Sequence, residues 1–82
     1  MMKFDIFYDI HDERVRQNQL WGEQNHDAPY WYTILAEEVG EVARSILEKD
    51  EKNYREELIQ VAAVCVAMVE AYDRGTTGFE AK

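Results

Sequence analysis

Eighty-two residues make one domain, and a chain this short buries only roughly 60–65% of the surface its unfolded form exposes, so a partner chain is expected. A formal charge of −8, with 9 Lys and Arg scattered among 17 Asp and Glu, argues against a nucleic-acid polymer as ligand, because phosphate neutralisation needs clustered basic residues. The longest apolar run, Val61 to Val69, is far short of the ~20 residues that span a bilayer, and no signal-like core follows Met1, so a cytoplasmic protein is expected.

Helical periodicity runs through most of the chain, and three helices are expected. The first covers about Phe4 to Leu20 and stops near Trp21-Gly22, where glycine is a usual helix terminator. Its apolar residues, Phe4, Phe7, Ile10 and Val15, are spread among many charges.

The second helix has a clearer start. Asp27 can cap the free amides, and Pro29 sits where a missing N–H costs nothing. From Tyr30 the helix should continue to about Glu48, with Leu35, Val39, Val42 and Ile46 forming an apolar stripe. Gly40 in mid-helix costs about 1 kcal/mol relative to alanine and would be expected where backbones approach closely.

Glu48 to Lys52 reads as a solvated turn, and Asn53 with Glu56 has capping-box spacing, so the third helix is expected from Asn53 to about Asp73, before Gly75. Leu58, Val61, Cys65, Met68, Val69 and Tyr72 form one face, but Val64, Val66 and the alanines spread apolar surface nearly all round. Cys65 reads as a small buried hydrophobe, and the helix as a subunit interface. The expected architecture is therefore an all-α bundle of about three helices, completed into a four-helix-type core by oligomerisation, as a homodimer or a dimer of dimers.

Two carboxylate clusters stand on the second and third helices. Glu38 and Glu41 are three apart and so side by side, and Glu57 and Gln60 repeat that spacing on the next helix. Antiparallel packing would let these pairs face each other in an oxygen-rich cage suited to Mg²⁺ or Mn²⁺ rather than zinc. The alternative is a solvated acidic face, and for Glu56 and Glu57 a first-turn position would account for the acids through the helix dipole alone. No phosphate-binding glycine loop, zinc spacing or nucleophile triad is present, and His11 reads as structural or surface.

Glu37-Glu38-Val39-Gly40-Glu41, followed by Glu57-Leu58-Ile59-Gln60, resembles the MazG-like all-α nucleoside triphosphate pyrophosphohydrolases, which carry Glu-Glu-x-x-Glu on one helix and Glu-x-x-Asp on the next. The flanks Trp21 to Asp27 and Val61 to Val64 extend the likeness to small stand-alone members, over a core of about 14–73 in a single 1–82 domain. Gln60 stands where that family usually has Asp. The resemblance implies cleavage of a nucleoside triphosphate to monophosphate and pyrophosphate. It implies Glu38, Glu41, Glu57 and Gln60 as ligands of one or two Mg²⁺ ions, with Glu37 orienting or deprotonating the attacking water. Trp21, His26 and Trp31 would then meet the base, or simply pack between helices. A catalytically weak or inactive oligomer that binds nucleotide or protein is the other outcome, because an amide ligand brings no charge.

Overall fold

A computed structural model describes residues 3–79, with side chains from Asp5 onward. Among them are three helices, α1 (Lys3–Trp21), α2 (Ala28–Leu47) and α3 (Glu51–Asp73), and no strand. Their ends follow local chemistry. Gly22 (φ 69°) and Gly75 (φ 77°) take the left-handed conformation just past α1 and α3, where a side chain would be strained. Asp27 caps α2, its carboxylate accepting from Tyr30 N–H at 3.1 Å, with Pro29 in the first turn.

The start of α3 differs from the sequence expectation. Asp50, not Asn53, is the cap, accepting from Asn53 N–H at 3.1 Å. The chain reverses more tightly than its charges suggest: Lys49 takes φ 56° and Asp50 N–H donates to Ser45 C=O at 3.0 Å, so the helix begins at once. Glu57 consequently lies beyond the first turn, where the helix dipole no longer favours an acid.

The central element is α3. It packs against both α1 and α2, which do not pack against each other. Ion pairs fix the first contact as parallel: Arg55 binds Asp9 at 2.7 Å, and further along both helices Arg14 donates to Glu70 at 3.0 and 2.7 Å. On the other side α2 runs antiparallel to α3, joining Trp31 to Val64, Ala67 and Ala71 in a small core flanked by Ile34, Leu35 and Met68. The alanines let the two helices approach closely. After α3 the chain turns back, and Ala28 N–H donates to the carbonyl of buried Thr77 at 2.9 Å, tying this end to the start of α2.

Three other expectations are corrected. Within the chain Gly40 is not a close-packing site: a Cβ there would meet nothing within 4 Å. Cys65 is exposed rather than buried, lying off the Val64-Ala67-Ala71 face. The apolar stripes also lie largely outside the core. Leu35, Val42, Val61 and Met68 are half-buried, whereas Val39 (51% exposed), Ile46 (59%), Leu58 and Val69 (59%) face outward. The radius of gyration, 13.8 Å, exceeds the roughly 12 Å of a compact chain of this length, as an open three-helix arrangement should.

Candidate functional site

Because α1 and α2 stand apart, a trough opens between them with α3 as its floor. A cavity of about 190 Å³ lies there, walled by Glu13, Arg16, Gln17 and Trp21 from α1 and by Trp31, Ile34 and Glu38 from α2, with Gln60 and Val64 beneath and Gln24 of the connecting loop at one end. From Trp31 to Glu38 is two helical turns, roughly 10 Å, so the cavity has an acidic end and an aromatic end.

At the acidic end three predicted residues meet. Glu57 is buried, Glu38 and Gln60 are half-buried, and the Gln60 amide lies beside both carboxylates, donating to Glu38 Oε2 at 2.9 Å and to Glu57 Oε2 at 3.2 Å when its nitrogen is turned toward them. Burial pushes the Glu38 carboxyl above its ordinary value. The negative field of Glu57, its hydrogen bonding with Glu57, and the charges of Glu41 and Glu13 act in the same direction. Glu41 is half-buried and lies 3.8 Å from Arg44 on its own helix. Glu37 is exposed, and none of the described contacts brings it to Glu38, Glu57 or Gln60.

Glu13, which periodicity did not single out, joins from α1. It accepts from Arg16 Nε at 2.8 Å and Nη2 at 2.6 Å and from Gln17 Nε2 at 3.1 Å, and the Arg16 bond holds its carboxyl below the usual range. The signal available in the sequence was the placement of Glu13, Arg16 and Gln17 on neighbouring positions of one helix face. What was missing was the knowledge that α1 runs parallel to α3.

At the aromatic end Trp31 is only 2% exposed, and among the described residues its indole Nε1–H has no acceptor. Leaving a buried donor unpaired costs about 1–3 kcal/mol. Trp21 is exposed at the cavity rim. His26 does not line the cavity. It lies tilted against Tyr30 (4.3 Å between ring centroids) and meets Trp31 edge-on (5.0 Å).

The donor set at the acidic end is all hard oxygen if Gln60 turns its amide over, which suits Mg²⁺ or Mn²⁺. Among the described residues no three His, Cys, Asp or Glu side chains are gathered as a ready ligand group, so side-chain rearrangement would accompany cation binding. Comparison with family models, with curated proteins and with solved structures finds no match for this chain.

Proposed function

We propose that the chain is a Mg²⁺-dependent nucleoside triphosphate pyrophosphohydrolase, cleaving a ribo- or deoxyribonucleoside triphosphate to its monophosphate and pyrophosphate. One observation carries this reading: a single cavity is lined by Glu13, Glu38 and Gln60 at one end and by the buried Trp31 about two helical turns away. A ligand with a cation-binding polyphosphate at one end and an aromatic ring with hydrogen-bond acceptors at the other matches both. Trp31 would pack against the base, and Trp21, exposed at the rim, would cover the ring.

In this reading Glu38, Glu41 and Glu57 hold the cation, Glu13 adds negative field from α1, and Gln60 contributes its amide oxygen after rotation. Bound there, the ion would neutralise the triphosphate and acidify a coordinated water. Glu37, which the resemblance implies as the residue that orients or deprotonates that water, would have to reach it from outside the cluster.

A homodimer or dimer of dimers belongs to the proposal. Val39, Ile46, Leu58, Val69 and Tyr72 expose apolar surface on α2 and α3, away from α1, and a second copy covering it would complete a four-helix core. Among the described residues no helix is long and apolar enough to cross a membrane, which accords with a proposed cytoplasmic location.

Gln60 favours one other reading. Turned with its nitrogen toward Glu38 and Glu57, it satisfies both carboxylates without a cation, as it would in a protein that binds nucleotide without turning it over. Product analysis with Mg²⁺ and a panel of ribo- and deoxyribonucleoside triphosphates separates the two. Monophosphate plus pyrophosphate supports the enzyme, and orthophosphate as the product sinks it. Intact nucleotide together with a raised melting temperature supports the binding protein. Light scattering tests the assembly, and a stable monomer at micromolar concentration would contradict it.

A further inference from the structure

We infer that Arg16 grips the polyphosphate of the nucleotide, with Glu13 as the residue that positions its guanidinium at the cavity mouth. The inference rests on the nucleotide reading above and deepens it by naming the group that meets the phosphates.

A triphosphate entering this cavity meets two carboxylates, Glu13 and Glu38, and a cation would offset only part of its charge. Arg16 is the one basic residue among those lining the cavity. The other arginines nearby are committed to holding helices or the loop. Arg14, its side chain only 14% exposed, is spent on Glu70, Gln17 and Asn18. Arg55 joins α3 to Asp9 of α1, and Arg74 holds Asn25 and the Gln24 carbonyl.

Arg16 differs from all three. Its side chain is 50% exposed, and its ion-pair partner, Glu13, sits one turn away on the same helix, so the pair ties no two elements together. Exposed pairs of this kind contribute little to stability. Glu13 is the fixed half: its side chain is 11% exposed and it is held by Gln17 as well. Two of the five guanidinium N–H donors go to Glu13. The remaining donors, on a planar fork that matches phosphate oxygens, are available at the junction of this cavity with the neighbouring groove between α1 and α3, which Arg16 also lines.

Calorimetric titration of the full chain with Mg²⁺ and the α,β-imido analogues of the four ribo- and four deoxyribonucleoside triphosphates, and with the matching monophosphates, tests the assignment. Arg16→Gln should weaken triphosphate binding tenfold or more and monophosphate binding less than threefold, and Arg16→Lys should fall between the two. Melting temperature checks that each variant is folded. Unchanged triphosphate affinity in Arg16→Gln, or equal losses for triphosphate and monophosphate, would overturn the role of Arg16 while leaving the nucleotide reading intact. Failure of the wild-type chain to bind any of these nucleotides would overturn both.

Discussion

The Gln60 amide lies between Glu38 and Glu57, and with its nitrogen turned toward them it donates to Glu38 Oε2 across 2.9 Å and to Glu57 Oε2 across 3.2 Å, so a neutral side chain joins two carboxylates. Charge here is relieved by a donor where an acid at the same position would add to it.

Replacing that donor by an acceptor of the same size should therefore be costly. Gln60→Glu is expected to lower the melting temperature in EDTA, since it removes two hydrogen bonds to carboxylates and adds a like charge. If the cluster takes a divalent cation, Mg²⁺ should restore the variant by a larger shift than it gives the wild-type chain. Thermal unfolding with and without Mg²⁺ measures both, and an EDTA melting temperature equal to wild type would contradict the clamp.

Glu38 should leave a signature in the pH dependence of stability. Its folded carboxyl is raised above the ordinary 4.5, chiefly by burial and then by Glu57. The folded state thus binds more protons than the unfolded state between those two values, and stability falls as pH rises through that window. Glu13 is shifted the other way, so its contribution falls below 4.5, where stability is lost as pH drops. Urea titrations at a series of pH values should show the decline above 4.5 in the wild-type chain and its loss in Glu38→Gln, with the variant more stable at neutral pH.

The cap of α3 separates two similar side chains. Asp50→Ala removes the acceptor of the Asn53 N–H and should cost about 1 kcal/mol. Asn53→Ala leaves that bond in place and should cost less than half as much. Equal losses in urea denaturation would return the cap to Asn53.

Gly40 gives a gain. It lies within α2 with open space where a Cβ would stand, so Gly40→Ala should stabilise the chain by about 1 kcal/mol. A loss instead would mean that a second copy packs against this turn, and light scattering of the variant would show it as weakened association.

Much of this protein was legible in one dimension, because the signals are local. Asp27 with Pro29 marks the start of α2, and Gly22 and Gly75 mark the ends of α1 and α3, each through backbone chemistry that needs no distant partner. The three-residue spacings of Glu38 with Glu41 and of Glu57 with Gln60 put each pair on one helix face in the same way. The pairing across helices was not local. The meeting of Gln60 with Glu38, the arrival of Glu13 and Arg16, and the burial of Trp31 all depend on α3 lying between a parallel α1 and an antiparallel α2. Hydropathy points to Leu58, Cys65 and Val69 on α3, whereas within the chain the helices approach along Ala67 and Ala71. Sequence periodicity determined the helices and which residues share a face. The tertiary structure alone decided which faces meet, because that choice turns on how closely backbones can approach and which charges can be paired once they do.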